Sequence, residues 1–188
     1  MNTSSLILHP DDALTRACVD RGCRTFADAA SLIAALPYRR NTDRQSILAP
    51  LTESCGTCST KHMFLYALAT ANGFNEHMQL CIGVYRMHAG NTPGVGDVLR
   101  SFGLQEIPEA HCYLRIGDQI ADHTSARFSL PFVPDLMEEH VLRDTHDLLR
   151  RKEQLHKNAI ARWAEEVQLD HTPEQLWTIR EACIAALS

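Results

Sequence analysis

The chain has 188 residues, of which 45% are apolar and 22% charged, a globular composition and not a disordered one. Its formal net charge of −5 argues against nucleic acid as the main partner, because phosphate binding needs clustered Lys and Arg. No run approaches the ~18 apolar residues of a membrane helix, and the start lacks the basic region of a signal peptide, so a cytoplasmic protein without membrane contact is expected.

A chain of this length buries roughly 70% of its unfolded surface without staples, and is expected to form a single domain over 1–188. Residues 10–21 read as a helix with Asp11 and Asp12 at its start and Gly22 past its end. Thr25 can cap a second helix over 26–36, closed by Pro37. Residues 38–57 lose periodicity and read as a long loop, a feature often tied to function. The strongest helix is predicted over 58–72, where Phe64, Leu65, Leu68 and Ala71 share helical spacing and Gly73 can supply a left-handed cap.

Beyond it, Met78, Leu80, Ile82 and Val84 alternate with Gln79, Cys81, Gly83 and Tyr85, the signature of a half-buried strand. Thr92-Pro93 reads as the cap and first residue of a short helix ending near Phe102. Residues 110–116 and 119–122 flank Gly117-Asp118 and form a predicted hairpin. From about Asp135 the chain reads as one or two amphipathic helices carrying Leu142, Leu148, Leu149, Leu155, Ile160 and Trp163. Thr172-Pro173-Glu174-Gln175 is a capping-box start for a last helix to Leu187. Trp163 and Trp177 are expected to anchor these helices, which could either cover the cleft or form a homodimer face. Helices, then strands, then helices in segregated blocks indicate an α+β class.

Two features carry chemistry. In Ser54-Cys55-Gly56-Thr57-Cys58, the second cysteine opens the apolar helix. A thiol at a helix N-terminus is favoured as the thiolate by the dipole and the converging N–H groups. The same N–H groups can hold an oxyanion. The other feature is the hairpin, where His111 lies on the first strand and Asp122 ends the second. Cross-strand neighbours lie about 5–8 Å apart at Cβ, so the carboxylate can orient an imidazole that takes a proton from a thiol. Each feature alone has a plainer reading, a buried small residue for Cys58 and a surface pair for the hairpin.

Together they resemble the transglutaminase-like (papain-like) cysteine-enzyme superfamily. Gly56-Thr57-Cys58 opening a helix that ends at Gly73, then a strand, then His111-Cys112-Tyr113 and Asp122-His123-Thr124, is similar to that family's order. The likeness covers residues 54–125 and departs from the pattern in Tyr113, in the short His-to-Asp spacing and in the extra thiol Cys55. The resemblance implies Cys58 as nucleophile, His111 as base and then acid, and Asp122 as the orienting group. It also implies a papain/transglutaminase-like core over about 38–130, while the helical extensions over 1–37 and 135–188 are read from the residue patterns alone. The expected activity is acyl transfer or hydrolysis of an amide or ester, on a peptide, protein or small-molecule substrate, with no metal or organic cofactor.

Other residues are secondary candidates. Asn41 and Gln45 could donate to an oxyanion, Tyr113 could line the substrate site, and Arg39, Arg40 and Arg44 could meet an acidic substrate group. His62 lies one turn beyond Cys58, where it either faces the thiol or bonds a buried carbonyl. Three rival readings remain. Cys55 and Cys58 have the Cys-x-x-Cys spacing of thioredoxin-like redox proteins, with Thr92-Pro93 as a counterpart of their proline. Cys55, Cys58 and His62 or His111 make half a zinc site. A binding module could keep the fold without the activity.

Overall fold

The computed structural model describes residues 6–126 and 130–187. The fold is α+β, with seven α-helices among the described residues and one four-stranded sheet. Helix α1 (Ala13–Val19) starts where Asp12 accepts from the N–H groups of Leu14 and Thr15, a side-chain cap of the usual kind. Helix α2 (Phe26–Ala35) is capped by Thr25 as expected, and Asp28 completes a box in which each of the two side chains accepts from the other's backbone N–H. The segment 38–57 is not wholly irregular. Leu48 leads into a short helix α3 (Ala49–Thr52), whose Ala49, Pro50 and Leu51 are buried.

Helix α4 (Cys58–Ala71) is the centre of its surroundings. Met63, Phe64, Leu65 and Leu68 are fully buried, and α1, α2 and α3 all pack on it. Gly73 ends it at φ 71°, the left-handed conformation that glycine takes without a Cβ penalty.

Strand β1 (Met78–His88) is buried on both faces rather than half-buried. Small Cys81 and Gly83 occupy positions expected to face water, and only Gln79 and Arg86 are exposed. Helix α5 (Gly96–Ser101) starts later than Thr92-Pro93 suggested, because Gly94 is left-handed at φ 107° and breaks the helical run. Strands β2 (Glu106–Ile116) and β3 (Gln119–Ala121) form the expected antiparallel hairpin, with Ile116 opposite Gln119.

The sequence after Asp135 departs from expectation. A 3-10 turn at Val133–Asp135 leads into strand β4 (Leu136–Leu142), not a helix. Its residues favour helix locally, but pairing decides: β4 takes the place beside β1 in the order β3-β2-β1-β4. Helices α6 (Thr145–Glu166) and α7 (Pro173–Ala185) follow. The latter opens with the Thr172–Gln175 box.

The chain forms two compact units. One takes the described residues of 1–81, 112–129 and 141–149, and holds α1 to α4 with the hairpin tip. The other takes those of 82–111, 130–140 and 150–188, and its α5 packs on α7. Inside the second unit, Arg180 of α7 donates from Nε and Nη2 to the two Glu109 oxygens, both at 2.6 Å. Burial alone would push the Glu109 carboxyl up, but Arg180 and His156 hold it below the usual range. His156 is also buried, and its Nε2 donates to the Pro108 carbonyl at 2.8 Å. Trp177 lies against the His156 ring, with Lys157 and Arg180 over its own ring. Among the described residues no helix is long and apolar enough to cross a membrane.

Candidate active site

The first unit holds Cys58 as the first residue of α4, almost fully buried at 4% exposure. A chain of hydrogen bonds fixes the approach to it. Thr57 N–H donates to Thr60 Oγ1 at 3.0 Å, Thr60 Oγ1 donates to Asn41 Oδ1 at 2.7 Å, and Asn41 Nδ2 donates to the Cys55 carbonyl at 2.9 Å. Asn41 is therefore a buried strut between the 38–57 segment and the helix start. Ser54 takes a left-handed φ of 53° just past α3, and two residues on Gly56 forms a parallel bridge with Tyr38. A Cβ on Gly56 would lie 3.0 Å from both Lys61 Cγ and Thr60 Oγ1. The glycine of Gly56-Thr57-Cys58 thus eases a close approach to the Lys61 stem and the Thr60 hydroxyl, which a larger residue would have to push aside. The Cys58 sulfur lies 4.0 Å from Ser59 Oγ, which lies 3.5 Å from Cys112 Sγ.

Asp122 follows β3. Its Oδ1 accepts from Thr124 N–H at 2.9 Å and lies 3.6 Å from His62 Nε2. His62 is fully buried. Its Nε2 lies 2.8 Å from the backbone N–H of His123, and its Nδ1 lies 2.8 Å from the Cys58 carbonyl. A backbone N–H can only donate, so Nε2 is the accepting nitrogen and Nδ1 carries the proton given to the carbonyl. The ring is a neutral strut with both nitrogens engaged, which matches the plainer reading of this histidine.

His111 belongs to the second unit. It is half-buried on β2, with its ring 4.9 Å from that of Phe132 and edge-on to Tyr85 at 6.4 Å. Tyr113 is fully buried. Gln45 is exposed, and its backbone N–H donates to Asp43. Arg39, Arg40 and Arg44 are all exposed, and interaction with the Cys55 thiol holds Arg39 above its ordinary range. Cys55 itself is buried beside Asn41. The first unit therefore gathers Cys55, Cys58, His62, Asn41 and Asp122, and Gln45 stands apart on the surface of the segment.

No family model, curated protein or solved structure matches the chain. Among the described residues no three His, Cys, Asp or Glu side chains are grouped to hold a metal ion. The segment before Cys55 is α3, a short helix, and not the strand that precedes the first cysteine of thioredoxin-like proteins.

Two residues near the site were not singled out by sequence. His123 lines a depression of about 250 Å³ together with Ser31, Ala34, Asp122, Ser125 and Ala126. Burial pushes its imidazole below the ordinary range, against the opposing pull of Asp122. Lys61 is fully buried, and its Nζ donates to the carbonyls of Leu36 at 2.6 Å and Thr124 at 2.8 Å. The only sequence hint of Lys61 was its place within an otherwise apolar helix, where lysine ordinarily points to water.

Proposed function

We propose that the chain is a thiol-dependent acyl-transfer enzyme with a papain/transglutaminase-like core. Cys58 is its nucleophile, His111 its general base and acid, and Asp122 its orienting carboxylate. The observation that carries this reading is Cys58 as the first residue of a 14-residue helix, with Asp122 held in the same unit by Thr124. His62 has both nitrogens occupied, which leaves proton transfer to another imidazole. His111 enters through its place in the sequence pattern.

In the reaction, the Cys58 thiolate attacks the carbonyl carbon of an amide or ester. A C–S bond forms, the C–N or C–O bond breaks, and the leaving group takes its proton from the His111 imidazolium. Water or an amine then attacks the thioester, giving up a proton to His111. The acyl product leaves and the thiolate is restored. N–H groups at the start of α4 stabilise the oxyanion in both steps.

The test is competitive labelling by limiting iodoacetamide at pH 6.5, mapped by mass spectrometry. Burial pushes the Cys18 thiol up to about 12 and that of Cys183 to about 11, so both are slow. Cys58 should react first, and His111→Ala should slow it about tenfold or more. Cys55→Ser should leave Cys58 labelling fast, as a dithiol mechanism would not. Equal labelling of Cys58 and the core cysteines, or no response to His111→Ala, would overturn the proposal.

A further inference from the structure

Lys61 sits where a lysine is hardest to explain. It is fully buried, and taking an ammonium out of water is costly unless it is paired. It also lies near the N-terminus of α4, where the helix dipole opposes a cation. Its hydrogen-bond acceptors are two backbone carbonyls, Leu36 O at the end of α2 and Thr124 O beyond the hairpin. A methionine would fill the same space without a charge to desolvate. Gly56 lies against the lysine stem, where a Cβ would come within 3.0 Å of Lys61 Cγ and press it aside. A local rule broken at such expense points to a task for the charge.

We propose that Lys61 is a positioning residue, whose buried ammonium clamps the 122–124 segment to the end of α2 and sustains Cys58 as a thiolate. The inference rests on the reading of Cys58 as nucleophile. The clamp is geometric: Nζ joins α4, α2 and the residue two beyond Asp122, whose Oδ1 is in turn fixed by Thr124 N–H. The charge acts on what surrounds it. Desolvation pulls the proton off Lys61 and lowers its pKa to about 8, while Asp122, Cys58 and Cys55 work to keep it on. Linkage is reciprocal, so a group that holds the proton on Lys61 is one that Lys61 helps to ionise. Two histidines face the same segment. His62 is held neutral by its two bonds, and burial disfavours the charged form of His123. Arg39 acts on Cys55 from the exposed 38–57 segment, so Lys61 is the buried cation that the first unit supplies to the start of α4.

The experiment is the pH profile of Cys58 alkylation in the full chain, from pH 5 to 10, for wild type and Lys61→Met. The midpoint should rise by about one pH unit or more, with labelling about tenfold slower at pH 6.5. A folded Met variant with the wild-type midpoint would overturn the proposal. Should that variant not fold, the converse measurement decides. The chain has three lysines, Lys61, Lys152 and Lys157, so 13C-labelled lysine Cε signals can be titrated individually. Cys58→Ser should lower the Lys61 midpoint, and an unchanged midpoint overturns the proposal. The two readings fail separately. If His111→Ala has no effect on labelling while Lys61→Met still moves the midpoint, the triad falls and the role of Lys61 stands.

Discussion

The buried ammonium of Lys61 also makes a prediction about stability that needs no substrate. Its pKa falls from the ordinary 10.5 to about 8 on folding. Below about pH 8 the residue is protonated in both the native and the unfolded chain, and it contributes no slope. Between about 8 and 10.5 the unfolded chain holds a proton that the native chain does not, so stability rises with pH. The slope approaches about 1.4 kcal/mol per pH unit, and the whole window is worth about 3 kcal/mol. Lys61→Met removes this dependence. At pH 7 the variant escapes the desolvation of the charge but leaves the carbonyls of Leu36 and Thr124 without a donor, at about 1–3 kcal/mol each. The two effects oppose each other there, so the informative quantity is the difference profile. Urea unfolding of both proteins at pH 7, 8, 9 and 10 should show wild type gaining on the variant by about 2–3 kcal/mol across the series. Parallel curves would refute the reasoning, because they would mean that Lys61 is as well solvated in the native state as in the unfolded one.

Three further outcomes follow from other buried groups. Arg180→Met should destabilise the protein by about 3–5 kcal/mol, since it leaves the Glu109 carboxylate buried without its bidentate partner. Adding Glu109→Gln should recover much of the loss in a double-mutant cycle by chemical denaturation. His62→Ala should cost about 3 kcal/mol, from the lost ring volume and the orphaned His123 N–H; thermal unfolding with no change would contradict its role as a strut. Gly117→Ala should cost about 1 kcal/mol, because the residue is left-handed at φ 58° in the hairpin turn, and urea midpoints would show it.

The elements legible in the sequence are those with local signals. Thr25, Thr172 with Gln175, and Gly73 marked helix ends that the structure keeps. Gly117-Asp118 marked the hairpin with its two-residue turn. Strand β4 was not legible, because Leu-Met-Glu-Glu-His-Val-Leu contains good helix formers and its strand character comes from its neighbour β1. Helix α3 is four residues long, too short for periodicity to register.

At the site the same division holds. Cys58 at a helix start and Asp122 at the end of a hairpin could be read from spacing and flanking glycines. Asn41 was visible as a polar loop residue, but the structure shows its amide engaged with Cys55 and Thr60. The burial of Lys61 is not legible, because its partners are main-chain carbonyls at positions 36 and 124. Backbone acceptors leave no mark on sequence, and no acidic residue at helical spacing pointed to a pair.

The contact between Gly56 and the stem of Lys61 makes these two positions a single steric unit. Shortening residue 61 would relieve one of the two 3.0 Å contacts that a methyl group at 56 would make, the other being with Thr60 Oγ1, so an alanine there should be tolerated better in a Lys61→Ala background than alone. Any redesign of this helix entrance has to treat residues 56, 60 and 61 together, since the smallest residue of the motif is crowded by two side chains of the helix it introduces.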